Sequence, residues 1–178
     1  MSNLNNSLEK DITLRAANLK NMMLDLGLAN PHLIKGCSKQ EIINLESEYN
    51  VTLPNSYKVF LENFGHGLEG RVMNDIDILY DQVLPLTSIA RNQILIDEGD
   101  PVLPEKAFVF CMRYGEQFMF FDASGLVEEP PIFYYMENDT AFKKVGDSIF
   151  DILEGEINFS EKIKLRREEI KKGIIEKS

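Results

Sequence analysis

The feature that most constrains the fold is a pair of aromatic-rich runs on either side of a short turn. The runs are "AFVFCMR" (107–113) and "FMFF" (118–121), and "YGEQ" (114–117) lies between them. Runs of this composition around a glycine-containing turn predict a β-hairpin. A second turn at "DASG" (122–125) and a third strand at "PIFYYME" (131–137) extend the pattern. The hairpin predicts an antiparallel sheet, which rules out an all-parallel α/β arrangement here.

Helical patterns precede the predicted sheet. Apolar residues at three- and four-residue steps predict a helix over 7–28. "SKQE" (38–41) is a capping box, which predicts the start of a second helix. A third helix is predicted in "LPNSYKVFLENFGHG" (53–67), where a proline lies near the first helical position and Gly65 is placed for a left-handed C-terminal cap. Residues 29–36, between the first two helices, are predicted as a linker.

Other elements are predicted before and after the hairpin. The alternating pattern at 75–86 predicts a strand, and residues 87–99 are predicted to contain a short helix. Residues 139–156 are predicted as a helix that stops near Gly155, and 161–178 as a charged helix or tail. Two prolines directly before the third strand predict that this strand starts at a sheet edge.

The order of helices, then antiparallel strands, then helices indicates an α+β fold. The 178 residues and 44% hydrophobic content are enough for one domain with its own core. We predict a single domain with a mostly antiparallel β-sheet flanked by helices, over residues 34–157. Residues 1–33 are predicted as an N-terminal helical extension and 158–178 as a charged C-terminal helix or tail.

The charge balance restricts the class of partner. The chain has 19 basic and 29 acidic side chains, with a formal net charge of -10. Such a surface repels phosphate backbones, which argues against nucleic-acid binding, and it suits a basic partner. We find no signal-peptide pattern and no run near the roughly 18 apolar residues of a membrane span. We therefore expect a cytoplasmic protein that binds neither nucleic acid nor membrane.

Residues suited to catalysis or metal binding are few: Cys37, Cys111, His32 and His66. No pair among them has the spacing of a zinc motif, so we predict no metal site and no cofactor. Cys111 lies in an apolar run and is predicted to be a buried small hydrophobe. Cys37 directly precedes a helix N-terminus, where the dipole lowers a thiol pKa, so a hydrolase that uses Cys37 or His66 remains an alternative. Without a G-x-S-x-G or nucleotide-binding glycine motif, we expect no enzyme.

Acidic charge is concentrated in one part of the chain. Residues 62–139 contain fifteen acidic and four basic side chains. A concentrated acidic face attracts a basic partner, although a solvated face without a partner has the same composition. The acidic loop residues are the candidate partner-binding residues: Asp75, Asp77, Asp97, Glu98, Asp100, Glu116, Glu128 and Glu129.

The aromatic side chains of the hairpin and third strand, Tyr114 among them, are assigned to core and sheet packing. Base stacking is the alternative, but Arg113 is the single basic residue in the sequence among these aromatics. The C-terminal helix carries charges of both signs and a small apolar face. It is therefore predicted to be docked or exposed to solvent, in preference to lying on a membrane.

The segment "GCSKQEIINLESEYNVTLPNSYKVFLENFGHG" (36–67) resembles the SUKH superfamily, named for a yeast cell-wall assembly regulator and its bacterial relatives. The matching residues are Ser38, Glu41, Leu45, Glu46, Leu53, Pro54, Tyr57, Phe60, Leu61, Gly65 and Gly67. "FVFCMRYGEQFMFFD" resembles the family's central hairpin, and "SIFDIL" its closing helix, so the resemblance covers about residues 34–154. The chain departs from the pattern at "NFGHG", where the usual asparagine before the glycine pair is replaced.

The resemblance implies a non-enzymatic binding protein. Bacterial members of the superfamily look like immunity proteins, which bind and neutralise the toxin domain of a polymorphic toxin, often a nuclease. The function implied for this chain is an immunity protein that binds a basic toxin domain through its acidic surface. A regulatory or scaffold module of the same fold, which mediates protein–protein interaction, is the alternative.

Overall fold

The computed structural model describes residues 2–70, 76–97 and 99–171. These residues contain six α-helices: α1 Ser2–Asp25, α2 Lys39–Tyr49, α3 Asn55–Phe64, α4 Tyr80–Val83, α5 Leu86–Ile89 and α6 Ile149–Lys171. They also contain six strands: β1 Ala29–Lys35, β2 Gly67–Gly70, β3 Ala107–Arg113, β4 Gln117–Asp122, β5 Ile132–Met136 and β6 Lys143–Gly146. A π-helical turn, Ala90–Ile94, continues α5. The predicted α+β fold in a single domain is confirmed.

The four C-terminal strands form one antiparallel sheet in the order β3-β4-β5-β6. The predicted hairpin is β3–β4, and the predicted third strand is β5, so both are confirmed. The predicted edge position of β5 is wrong. β6 pairs with its outer side, so β5 lies inside the sheet.

Aromatic side chains cover both faces of this sheet. On one face, Tyr57 of α3 lies against Phe108, Phe110 and Phe121, at ring-centroid distances of 5.5, 5.9 and 5.0 Å. On the other face, Phe142 of the β5–β6 connection packs edge-on against two rings of β4. The aromatic-rich runs are therefore explained by burial on two sides, which a sheet with one solvated face would not need.

The capping box and the "LP" connection are confirmed in α2 and α3. The Ser38 hydroxyl accepts a hydrogen bond from the Glu41 amide at 3.3 Å, and Glu41 accepts one from the Ser38 amide at 2.7 Å. Glu46 accepts a hydrogen bond from the Leu53 amide at 2.8 Å and forms an ion pair with Lys58, also at 2.8 Å. Glu46 thus ties the end of α2 to the start of α3.

The N-terminal helix is part of the core. The helix predicted over 7–28 is confirmed as α1, and Gly27, in a left-handed conformation at φ +60°, follows its last turn. α1 packs against α3 and α6 and buries one face, formed by Ile12, Ala16, Leu19 and Met23. These side chains join the same hydrophobic cluster as the rings on the sheet. The helix therefore packs into the main core even though it lies outside the segment that resembles the family.

The linker predicted at 29–36 is wrong. Residues Ala29–Lys35 form β1, which pairs with β2 in a separate antiparallel two-stranded sheet. The register shifts between Ala29 and Ile34, and Pro31 lies within this irregular stretch, where the missing amide hydrogen disturbs pairing least. The partner strand is more than thirty residues away, so no local pattern announces the pairing.

The strand predicted at 75–86 is also wrong. Its described part makes one isolated β-bridge, between Asp77 and Met112, and then turns into α4. The Gln82 side chain accepts hydrogen bonds from the Ile78 and Leu79 amides at 3.1 and 2.9 Å, which closes the turn. The helix predicted within 87–99 is found as α5 and the π-helical turn.

The helix predicted at 139–156 divides into a strand and the start of a long helix. Lys143–Gly146 form β6 because the outer side of β5 offers unpaired backbone groups there. α6 then starts at Ile149, where the Ser148 hydroxyl accepts a hydrogen bond from the Phe150 amide at 3.1 Å, and it continues past Gly155. Within the described residues, no helix has both the length and the apolar composition needed to cross a membrane.

Candidate functional site

The acidic residues chosen from the sequence lie at two opposite ends of the four-stranded sheet. The β3–β4 turn and the start of the β5–β6 connection form one end, which carries Glu116. The β4–β5 connection, with Glu128 and Glu129, lies at the other end. Asp75 and Glu98 fall outside the described residues. The prediction therefore combines two surfaces that one compact partner site would not cover together.

Three further acidic residues belong to the end that carries Glu116. Asp77 forms an isolated β-bridge with Met112 of β3. Met112 pairs with Phe118 of β4, which pairs with Tyr135 of β5, so Asp77 lies at the same level of the sheet as Tyr135. The Tyr135 hydroxyl donates a hydrogen bond to Asp100 at 3.2 Å, and Asp100 accepts another from the Asp97 amide at 2.9 Å. Asp77 and Asp97 are exposed, whereas Asp100 is half-buried and satisfied within the protein.

We use the name turn surface for five exposed residues at this end: Arg113, Tyr114, Glu116, Met136 and Glu137. The Glu137 amide donates a hydrogen bond to the Glu116 carbonyl at 2.8 Å, so the two turns lie side by side. Tyr114 is 66% exposed and Met136 43% exposed. The Arg113 guanidinium lies over the Tyr114 ring, 5.2 Å from its centroid. The turn surface thus combines apolar side chains with carboxylates.

Sequence reasoning missed most of the turn surface. The prediction that Tyr114 packs in the sheet is wrong, because the residue occupies the hairpin turn with φ +53° and projects to solvent. A bulky side chain in the left-handed region is uncommon and costs about 1–2 kcal/mol. The position of Tyr114 directly before Gly115 in "YGEQ" was the available signal. Met136 and Glu137 carry a weaker signal, since both end a predicted strand.

The opposite end is tied to the helices by ion pairs. Arg15 of α1 contacts Glu129 at 3.1 Å, Asp151 at 2.7 Å and Glu154 at 3.1 Å. Glu129 also accepts a hydrogen bond from the Ser148 hydroxyl. Glu129 therefore has an internal role, whereas Glu128 beside it is exposed. More than a hundred residues separate Arg15 from these partners, so the sequence carried no signal for the network.

A second group of candidate functional side chains lies at the start of α2. The Cys37 sulfur, a Glu41 carboxylate oxygen and a His66 ring nitrogen all lie within 4.8 Å of one another. His66 Nε2 and Glu41 Oε1 form a hydrogen bond of 2.7 Å. The hydroxyl and amide of Ser38, followed by His66, lower the pKa of Glu41 to about 2. The spacing rules used for the sequence did not find this cluster, since they require pairs of Cys or His close in sequence and His66 is 25 residues from Glu41.

The chemistry of Cys37 differs from the expectation for a thiol at a helix N-terminus. Burial, followed by the negative charges of Glu41 and Asp81, raises the pKa of Cys37 to about 12. Such a thiol is protonated at neutral pH, and the thiolate is the nucleophilic form. The helix dipole therefore does not activate Cys37 here. Cys111 is buried, as predicted, and burial raises its pKa to about 12 as well.

Close contacts with other segments explain why both outer residues of "GHG" are glycines. A Cβ on Gly65 would lie 2.3 Å from the Cys37 sulfur, and one on Gly67 would lie 2.0 Å from the Leu33 carbonyl oxygen. The predicted left-handed cap at Gly65 is wrong, because its φ and ψ are -59° and -27°. Glycine is required at this position by space, and its conformation is one that any residue adopts.

The other motif residues shared with the family are structural. Those leading into and along α3 are buried: Leu53, Pro54, Tyr57, Phe60 and Leu61. A sequence model of the SMI1 / KNR4 family (SUKH-1) matches residues 36–155. No curated protein matches the chain significantly. The matched segment runs from just before the capping box to the first turns of α6, and it agrees with the resemblance found in the sequence. The chain belongs to the SMI1 / KNR4 family (SUKH-1).

Proposed function

We propose that this protein is a non-enzymatic immunity protein that binds a basic toxin domain through the turn surface. The observation that carries the proposal is an exposed Tyr114, held in a left-handed turn, beside Met136 and two glutamates. Membership of the family supports an immunity role, because bacterial relatives in the superfamily look like immunity proteins. The turn surface supplies the contact for such a role.

Composition favours the turn surface over the opposite end of the sheet. Tyr, Met and Arg are enriched in the cores of protein interfaces, and all three occur here. Core packing does not offset the backbone strain at Tyr114, since most of the side chain is exposed. Strain of this kind is often found at functional sites. At the opposite end, Glu129 is committed to Arg15.

The proposed mechanism is occlusion. Glu116 and Glu137, with Asp77 and Asp97 nearby, would pair with Lys and Arg side chains of the toxin. Tyr114 and Met136 would be buried in the complex and would supply most of the affinity. Carboxylates around such an anchor raise the association rate for a basic partner and disfavour an acidic one.

The test uses the toxin domain encoded next to this chain, with binding measured by calorimetry and protection measured in cells. We expect Tyr114→Ala to weaken binding by about 2 kcal/mol, as for an interface hot spot. Glu116→Lys with Glu137→Lys should weaken binding at least about tenfold and remove most of its salt dependence. Glu128→Lys is the matched control, because it reverses an exposed carboxylate at the other end of the sheet.

Two results would contradict the proposal. Absence of binding and protection in the unmodified protein would remove the immunity role. Loss of binding in Glu128→Lys, with the turn-surface variants unaffected, would move the interface to the opposite end of the sheet.

A further inference from the structure

The cluster of Cys37, Glu41 and His66 contains the three kinds of donor atom that bind zinc in proteins. These are a cysteine sulfur, a histidine nitrogen and a carboxylate oxygen. In the folded chain, one of each lies within 4.8 Å of the other two. The sequence predicts no metal site, because neither C-x-x-C nor H-x-x-x-H spacing occurs. Folding brings together donors that those spacings do not cover.

We propose that Cys37, Glu41 and His66 form a binding site for a divalent transition-metal ion of the zinc type, with a fourth position open to water. Around a tetrahedral ion with bonds of about 2.0–2.3 Å, donor atoms lie roughly 3.3–3.8 Å apart. The three donor atoms lie within 4.8 Å of one another, and His66 Nε2 and Glu41 Oε1 are 2.7 Å apart in a hydrogen bond that the ion would replace. Small side-chain rotations therefore bring all three to bonding distance of one ion.

The backbone at the cluster is already fixed. The Cys37 amide donates a hydrogen bond to the Leu61 carbonyl at 2.8 Å, and the His66 amide donates one to the Lys35 carbonyl at 2.9 Å. Gly65 lets the chain pass directly over the Cys37 sulfur, where a Cβ would lie only 2.3 Å away. Glu41 lies on α2, and these two backbone hydrogen bonds hold the connections that carry Cys37 and His66, which lowers the cost of ordering the ligands.

Neighbouring groups supply the outer contacts that metal ligands require. Glu41 Oε2 accepts hydrogen bonds from the amide and the hydroxyl of Ser38, both at 2.7 Å, so Oε1, which is hydrogen-bonded to His66 Nε2, is the oxygen that turns to the ion. The Tyr80 ring lies edge-on to the His66 ring at 5.4 Å, and its hydroxyl donates to the Glu41 carbonyl at 3.2 Å. Outer contacts of this kind orient ligands, and their loss typically lowers metal affinity 10–100-fold.

Charge and ligand type define the class of ion. The negative charges of Glu41 and Asp81 both act on Cys37. A doubly charged cation at the cluster would offset this negative charge. A sulfur and an imidazole nitrogen select zinc-type ions over Mg²⁺ and Ca²⁺, which prefer oxygen ligands. On binding, Cys37 releases its thiol proton to solvent and enters the site as a thiolate. The hydrogen between His66 Nε2 and Glu41 Oε1 also leaves, and His66 binds as the neutral imidazole with its proton on Nδ1.

The test is titration of the untagged full-length protein with Co²⁺, the spectroscopic substitute for Zn²⁺. We expect one equivalent to bind with a thiolate-to-cobalt charge-transfer band, which Zn²⁺ then abolishes. His66→Ala and Cys37→Ser should lower the affinity at least about tenfold. The matched controls are His32→Ala, which changes the other histidine, and Cys111→Ser, which changes the other cysteine.

Circular dichroism of each variant separates loss of ligand from loss of fold, and the half-buried His66 provides a variant that leaves the core intact. The proposal is overturned if the unmodified protein gives no thiolate band. It is equally overturned if the band survives Cys37→Ser in a folded protein, or if folded His66→Ala and His32→Ala bind Co²⁺ equally well. Toxin binding is measured separately, so neither proposal depends on the other.

Discussion

Two glycines show how the same residue type serves different needs at different positions. Gly65 lies against the Cys37 sulfur and the Leu61 carbonyl oxygen, where a Cβ would approach to 2.3 and 2.8 Å. Gly155 lies inside α6 with nothing near the position of a Cβ. Close approach makes the first glycine necessary, whereas the second only weakens the helix that contains it.

Alanine substitutions at these glycines should therefore have opposite effects. We expect Gly65→Ala to lower the free energy of unfolding by about 1–3 kcal/mol, because the added methyl group overpacks the α3–β2 junction. Gly155→Ala should raise it by about 0.5–1 kcal/mol, because alanine loses less backbone entropy in a helix. Urea denaturation measures both. Equal effects of the two substitutions would contradict the packing assigned to Gly65.

The two cysteines should be unreactive in the folded protein. Burial raises the pKa of both thiols to about 12, so at about pH 8 roughly one thiol in 10⁴ is ionised. We expect a disulfide reagent to react with neither cysteine on the timescale of its reaction with the urea-unfolded chain. Fast labelling of native Cys37, with the Cys111→Ser variant as the control, would show that burial does not protect it.

At the scale of elements, one arginine joins α1 to the start of α6 and to the β4–β5 connection. Arg15 faces three carboxylates, those of Glu129, Asp151 and Glu154, and its guanidinium lies 5.5 Å from the centroid of the Phe150 ring. Burial raises the pKa of Asp151, but the hydrogen bond and charge of Arg15, together with hydrogen bonds from the Asp147 and Ser148 amides, lower the pKa overall. The network holds three elements together by charge at the edge of the core.

Removing Arg15 should destabilise the fold. Arg15→Met leaves three carboxylates close together, and because the groups are partly exposed we expect a loss of about 1–3 kcal/mol. The pKa of Asp151 is lower in the folded than in the unfolded chain. The contribution of ionised Asp151 to the free energy of unfolding is therefore fully present above about pH 4. That contribution is lost as the pH falls through the folded pKa.

Denaturant melts at neutral pH and at about pH 3 measure this effect. The difference between Arg15→Met and the unmodified protein should shrink at the lower pH. Lys10→Met, an exposed position on the same helix, is the control. A pH-independent difference would mean that Arg15 contributes mainly through its packing on Phe150.

At the scale of the whole molecule, the hydrophobic core of the family segment includes side chains from a helix outside that segment. The family match begins at residue 36, but α1 buries Leu19 and three neighbours in the same core as α3 and the sheet. Without α1, the apolar surfaces of α3 and α6 that it covers would face water. Stability of this chain therefore depends on more than the segment it shares with its relatives.

A pair of substitutions on α1 tests this dependence. Leu19 is 1% exposed and Leu14 is 58% exposed on the same helix. We expect Leu19→Ala to cost about 2–5 kcal/mol, the usual range for a large-to-small change in a core, and Leu14→Ala to cost little. Thermal or urea unfolding measures both. Similar small losses would make α1 a loosely attached extension, as its position outside the family match suggests.

Sequence patterns alone were enough for the elements whose signals are local. The capping box of α2, the proline start of α3 and the β3–β4 turn each depend on residues within four positions of one another. The core packing of the aromatic side chains, Tyr114 excepted, followed from the composition of the runs. These signals were sufficient for the α+β class and for the family.

Only the tertiary structure decided the elements and sites whose partners are distant in sequence. β1 pairs with β2, and β6 adds to the outer side of β5, because unpaired backbone groups of one strand recruit another segment whatever its local propensity. The network of Arg15 and the cluster of Cys37, Glu41 and His66 likewise join side chains from segments that are distant in sequence. Local propensity acts over a few residues, whereas charge pairing, ligand geometry and exposure depend on which distant segments the core brings together.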